Sequence, residues 1–451
     1  MEEGREYTGY WYTQNNPKNE VYGILTRSVE NDIILKTHGI LEKPDKLFNI
    51  MHSEPLGIIN GYTSNGKHMT LIDNFNTGFT INAPGIPTST YEPRYLIEGE
   101  QYKNVGDINF LSIEASYSYF NEWLGVSPLT CEMDFNKSSI FVRGESFLPI
   151  IYESDKLKIK INSRVKKKGD LLKNIELIHL VSVAFERNEG FSLAETFDTI
   201  HSFANFLTLC IGRRVIYLYI KSKDANDKGA KVYINGIERQ KEREIDSRDV
   251  LVPYSYIKED FGKYINNWFR KKDIMQPIVD YFVSLHDETF HIPMSFLKIV
   301  QALEAFSRRM RNNCIIDEEE HEEKILYILE KIDNVEYREW LKEEIEYSNE
   351  PKLRKRLNEI FKEVNFFINI NSKKRKRLVY DIVETRNYYT HFNESKKEKI
   401  MENDQIFYVS NLLIIILRVL IMKELGISEE VILKTKEQPN VSFIVKKALK
   451  D

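Results

Sequence analysis

The feature that most constrains this chain is a change of hydrophobic period near residue 255. From Tyr7 to about Lys167, apolar residues come in short, often alternating runs, as in VYGILT, DIILKT, FTINA, RYLIEG, INFLSIEA, SIFVRG and LKIKIN, with turn residues between them. A period of two sends successive side chains to opposite faces, so these runs predict strands. Beyond residue 255 the period becomes 3.6 and stays there, which predicts helices packed on one another. The 451 residues also exceed what one ordinary core organises. The expectation is a multidomain α+β chain: a β-rich α+β domain over 1–255 and an all-helical bundle over 256–451.

Within the first region, Ser64-Asn65-Gly66 between GIINGYT and HMTLID is a hairpin signal. Asn82 to Pro93 carries three prolines and predicts a surface loop, because proline supplies no ladder donor. A helix is predicted from Ser192 to Ile211, followed by strands in RVIYLYIK and KVYING. The stretch Glu238 to Asp249 is charged and lacks aromatic residues, and marks the approach to the boundary. In the second region the predicted helices cover Tyr264 to Leu285, Pro293 to Arg311, Glu322 to Ile332, Tyr337 to Tyr347, Lys352 to Phe366, Lys374 to Tyr389 and Lys396 to Leu425.

Composition narrows the function classes. A 42% hydrophobic, 12% aromatic chain has the apolar surface of a folded protein. Its formal charge of −4 excludes a uniformly basic coat, so any nucleic-acid contact is local. Cys131, Cys210 and Cys314 fit no paired zinc spacing and read as reduced core residues of a cytoplasmic protein. The run Ile406 to Met422 falls short of the ~20 residues of a membrane span and is broken by Ser410, Asn411 and Arg418, so a buried helix and no membrane association are expected. The first residues lack the basic-then-apolar pattern of a secretory leader. His286-Asp287-Glu288 and His291 read as a polar interhelical loop, so no metal and no cofactor are expected. Phosphate-cradling, nucleophile-elbow and dinucleotide motifs are not found in the sequence.

The informative segment is KKRKRLVYDIVETRNYYTHFNE, Lys373 to Glu394. On a helix, Leu378, Val379, Ile382, Val383 and Tyr389 share one face, with Arg386 projecting among them. A guanidinium on an apolar stripe is either paired or faces a cleft, because burying it alone costs several kcal/mol. His391 follows five residues later, a separation of about 140° on a straight helix. The two side chains converge only if the helix breaks before His391 or if two copies of the chain build one site. The run Lys373, Lys374, Arg375, Lys376 and Arg377 opposes the helix dipole, a cost that binding an RNA backbone would offset; the alternative is a solvated charge run.

This R-N-x3-H arrangement resembles the motif of HEPN domains. The order of a Glu304-bearing helix, the motif helix and a long apolar helix fits the same family. With the β-rich front half, the whole chain resembles the ApeA-type abortive-infection proteins of bacteria. The resemblance implies an endoribonuclease acting in anti-phage defence on tRNA or other cellular RNA. It further implies a homodimer or higher homo-oligomer, and an N-terminal domain that answers a phage-derived trigger. In that reading His391 moves protons, Arg386 stabilises the phosphate and Asn387 orients one or the other. Glu304 holds Arg386 or, on the plainer reading, pairs with a nearby cation. The expected products are a 2′,3′-cyclic phosphate and a 5′-hydroxyl, without a metal. The alternative is a HEPN module that binds nucleotide or RNA without cutting; nucleotidyl transfer lacks its paired-carboxylate motif.

Overall fold

A computed structural model describes residues 1, 4–28, 32–41, 55–81, 84–154, 156–236, 244–286, 291–392, 397–398 and 400–450. The chain forms two compact units. One comprises Met1–Ala204 with Val215–Ser247, and the other Asn205–Arg214 with Arg248–Asp451.

The first unit is built on a closed barrel. Strands β1 (Glu6–Thr13), β2 (Val21–Arg27), β3 (Ile33–His38), β4 (Leu56–Thr63), β5 (His68–Thr80) and β6 (Thr88–Glu98) pair antiparallel in the order β1-β2-β3-β6-β5-β4, and β4 returns to β1. Burial alternates along them: Tyr7, Gly9, Trp11 and Thr13 of β1 point inward. Trp11, Leu25, Ile33, Leu35, Ile59, Met69, Leu71, Tyr91 and Leu96 fill the interior. Gly61 is required there, because a Cβ would lie 2.3 Å from the Trp11 ring. The Ser64–Gly66 turn joins β4 to β5 as predicted, with Gly66 alone of the three at positive φ, +78°.

The predicted proline-rich loop is shorter than expected. Pro93 lies inside β6, opposite Asn74 of β5, while Asn82 and Ala83 lie outside the described residues. On the other edge of β6, pairing with β3 has ended at Tyr91 and pairing with β14 (Gly229–Ile234) begins at Tyr95. Pro93 falls in the gap, where no ladder donor is needed.

Outside the barrel the sheet continues through β14, β13 (Tyr217–Lys223), β7 (Phe110–Tyr117), β12 (Asn174–Phe191), β11 (Lys158–Asp170) and β10 (Ile150–Glu153). The hairpin of β8 (Leu129–Asp134) and β9 (Ser139–Gly144) stands apart, and places Cys131 on the surface instead of in the core. The short helix α1 (Phe120–Leu124) and the long α2 (Leu193–Ile211) complete this region; the last turns of α2, from Asn205, belong to the second unit.

The second unit is helical: α3 (Tyr254–Ile257), α4 (Phe261–Arg270), α5 (Lys272–Ser284), α6 (Ile292–Met310), α7 (Glu318–Glu330), α8 (Val335–Glu344), α9 (Leu353–Glu363), α10 (Asn365–Ile368), α11 (Ser372–His391), α12 (Asn403–Leu425), α13 (Glu429–Lys436) and α14 (Pro439–Leu449). The predicted helix over Tyr264 to Leu285 is two, divided at Lys271. The helices α13 and α14, beyond residue 425, were not foreseen. α12 is long and apolar enough to cross a membrane, but 72% of that window is buried. It is the central helix of the unit, packed on α6 and α14.

Candidate active site

The motif helix α11 is set by its first and last turns. Asn371 caps it, its side-chain oxygen accepting the Lys374 N–H at 2.9 Å. The helix runs unbroken through His391. Phe392 then turns left-handed, φ 48°, and its N–H closes on the Tyr388 carbonyl at 2.6 Å. Leu378, Val379, Ile382, Val383, Thr385 and Tyr388 are buried. Tyr388 thus takes the core position predicted for Tyr389, which is only half-buried.

The burial pattern shows where the helix is uncovered. With Ile382 at the origin, buried positions span an arc from Tyr388, at about −120°, to Val383, at about +100°. Arg386 at about +40° and Tyr389 at about −20° fall inside that arc. Both are nonetheless only half-buried. The core that covers the middle of the helix therefore leaves its last two turns partly open. Arg386 faces this opening, and its Nη1 donates to Asn387 Oδ1 at 3.2 Å. Thr390 ties the turn down by donating its hydroxyl to the Arg386 carbonyl at 2.8 Å. His391 is exposed and, with no break between them, projects about 140° away from Arg386.

Glu304 lies on α6, which packs against α11. Its carboxylate is 3.5 Å from Arg308 Nη2, one turn along its own helix. Arg308 also pairs with Glu350. On α11 itself, Glu384 pairs with Arg354 at 3.2 Å, and the Arg354 guanidinium lies 5.0 Å from the centre of the Tyr380 ring. Arg354, at the start of α9, was not singled out in the sequence.

The basic run divides around the start of α11. Lys373 and Lys376 are exposed on one side, and Arg375 is half-buried. Lys374 and Arg377 line a hollow of about 680 Å³ with Asp381, Lys447 and Lys450. Burial raises the Asp381 carboxyl above its ordinary range, against the pull of Arg377 and Lys450. Lys447 and Lys450 lie on and just past α14, a helix beyond those predicted, the last of which ends at Leu425. At 1.5 Å per residue, Arg377 stands roughly 14 Å along the helix from Arg386.

His286 does not sit in a polar loop. Its Nδ1 is 2.9 Å from the Phe282 carbonyl oxygen and its Nε2 is 2.9 Å from Arg418 Nη2. Asp287 and Glu288 lie outside the described residues. Among those described, His, Cys, Asp and Glu nowhere gather in a group of three fit to hold a metal ion.

Two family matches cover most of the chain. Residues 6–268 match ApeA N-terminal domain 1, and residues 297–431 match Apea-like HEPN. No curated protein and no solved structure matches the chain.

Proposed function

The chain belongs to the ApeA family of HEPN-type anti-phage defence proteins, and from that premise we propose that it is an endoribonuclease whose site is assembled from two copies of α11. The observation that carries this reading is the unbroken helix. One copy presents Arg386 to a half-open face and aims His391 about 140° away, so one chain does not surround a phosphate alone. A two-fold pairing of motif helices brings Arg386 and His391 of one protomer to the partner's Arg386 and the partner's His391. It also covers the opening beside Arg386 and Tyr389.

In that site one imidazole accepts the proton of a ribose 2′-hydroxyl as its oxygen bonds to the adjacent phosphorus. The other imidazole gives a proton to the 5′-oxygen as the P–O5′ bond breaks. The products are a 2′,3′-cyclic phosphate and a 5′-hydroxyl. Arg386, steered by Asn387, neutralises the charge that builds on the phosphate in between. These groups supply both proton transfer and charge, so cleavage proceeds in EDTA. Glu304, which pairs with Arg308 on its own helix α6, is a positioning carboxylate beside α11. The hollow at Lys374, Arg377, Lys447 and Lys450 holds RNA backbone away from the cut. The proposed setting is cytoplasmic RNA, with the barrel unit answering a phage-derived trigger.

The test is to induce the full chain and the Arg386→Ala form in bacteria and sequence RNA ends. A set of cuts ending in cyclic phosphate, present in the wild type and missing from the variant, is the expected result. RNA bound but left uncut by the wild type would replace the nuclease with a binding module.

A further inference from the structure

Arg418 sits among the apolar residues of α12, between Leu417 and Val419, and is 6% exposed. Its guanidinium has one hydrogen-bond partner among the described residues, His286 Nε2 at 2.9 Å, and lies 5.4 Å from the centre of the Phe282 ring. Its Nε is buried with no partner. The imidazole brings no negative charge. With Nδ1 facing a carbonyl oxygen at 2.9 Å, that nitrogen carries the proton, and Nε2 offers Arg418 a lone pair. Burial, with Arg418 and then Arg214 adding positive charge, holds this histidine down to about 3, so it stays neutral. Among the described residues no carboxylate pairs with Arg418, and a cation taken out of water without an opposite charge costs several kcal/mol.

The guanidinium borders a cavity of about 190 Å³, which Leu251, His286, Asn411, Asn440 and Val441 also line. That is room for an ion and several waters. Asn440 and Val441 are in the first turn of α14, and the N-cap residue Gln438 gives that turn no side-chain cap. The positive end of an 11-residue helix therefore opens on the cavity that Arg418 lines. Gly212, at φ +86°, keeps the wall thin: a Cβ there would come within 2.6 Å of Leu251.

The geometry points to a binding site for a tetrahedral oxyanion of the phosphate class, held by Arg418 and the first turn of α14. The ion supplies the charge that His286 does not. The site is separate from the motif residues, and its test stands apart from nuclease activity.

The experiment titrates inorganic phosphate, at constant ionic strength, into the full chain carrying Arg386→Ala and His391→Ala, with heat as the readout. One saturable site per chain is expected. Arg418→Met removes the guanidinium and should weaken binding at least tenfold. Asn440→Asp puts a carboxylate at the cavity while keeping an oxygen for the Val441 N–H, now 2.8 Å from Asn440 Oδ1, and should also weaken binding about tenfold. It decides the matter if Arg418→Met does not fold. A nucleoside monophosphate run in parallel separates sources: equal affinity assigns the site to the free ion, and tighter binding assigns it to a nucleotide's phosphoryl group. No saturable binding, or binding unchanged by Asn440→Asp and by a folded Arg418→Met, overturns the proposal.

Discussion

In the barrel unit Glu98 is 5% exposed, and in the helical unit Arg418 is 6% exposed, yet the two buried charges are treated in opposite ways. Glu98 receives hydrogen bonds from Lys67, from the amino group of Met1 and from Tyr233. Burial pushes its carboxyl up, but the hydrogen bonds from Lys67, Met1 and Tyr233 outweigh that and hold it at about 2. Arg418 faces a neutral ring and a cavity. Arg386, half-buried, is bonded to an amide oxygen. The difference separates particular residues: Glu98 is satisfied within the fold, as Arg311 is in the helical unit by Glu363 and Glu424, whereas Arg418 and Arg386 have no carboxylate partner among the described residues. Removing Glu98 should therefore cost stability, and removing Arg418 or the motif residues should cost binding or chemistry.

The sharpest form of this contrast is His391→Ala. RNA cleavage should fall about 10²- to 10⁴-fold, the usual worth of a positioned acid or base. Because His391 is exposed at a helix end, stability should change by no more than about 0.5 kcal/mol. Gel assays of cleavage and calorimetry on the same samples check both halves. A large fall in melting temperature would move His391 to the structural side.

Glu98→Gln should do the reverse, leaving the motif chemistry intact and lowering stability by about 3 kcal/mol at neutral pH. The folded carboxyl titrates at about 2 against an ordinary 4.5, so it is depressed. Its contribution is complete above about pH 4.5 and is lost as pH falls toward 2. Denaturant curves of wild type and variant should converge over that window, and a constant gap would show that the charge is not what Glu98 contributes.

Mixing tests whether the opening beside Arg386 is filled by a second chain. Wild-type protein diluted into excess Arg386→Ala/His391→Ala chain, with time for exchange, should lose activity per wild-type chain. Activity that tracks the wild-type amount alone would mean that each protomer cuts by itself and that α11 does not pair with a second copy to form the site.

How far the sequence led can be seen residue by residue. Alternation in VYGILT and DIILKT was enough to place β2 and β3, because Val21 and Leu25, and Ile33 and Leu35, fall at alternate inward positions. It was not enough to close the barrel. The pairing of Met69 with Glu98 or Leu71 with Leu96 joins strands whose patterns say which face is apolar but not which neighbour they meet. β12, an 18-residue strand, went unassigned because only its middle, from Val181 to Phe185, is continuously buried. On α11, Arg386 and His391 stood out by residue type and spacing. The continuity of the helix between them did not. Asn387 to Thr390 read as an ending, and it is the burial of Tyr388 together with the Thr390 hydroxyl on the Arg386 carbonyl that carries the last turn through. Arg418 was legible as a break in an apolar run. That a cavity lies beside it depends on α14, which was not foreseen.

The smallest expected effect separates the two sides of the basic run, and it bears on whether all helical cations await a ligand. Lys374 and Arg377 share a hollow with Lys447 and Lys450, whereas Lys373 and Lys376 are exposed elsewhere on the helix. A phosphate contact releases condensed counterions, so each one adds about 0.7 to the slope of log affinity against log salt for single-stranded RNA. Cations that are merely solvated add nothing. Neutralising Lys374, Arg377, Lys447 and Lys450 to glutamine should therefore flatten the slope by up to about 3, while Lys373→Gln/Lys376→Gln should change it by less than about 1. The measurement is RNA binding by fluorescence anisotropy over a range of salt, in the Arg386→Ala/His391→Ala background so that the RNA survives. Equal losses from the two sets would assign the run to general charge along α11. An unchanged slope after the fourfold change would leave the motif end of the helix as its RNA-contacting part.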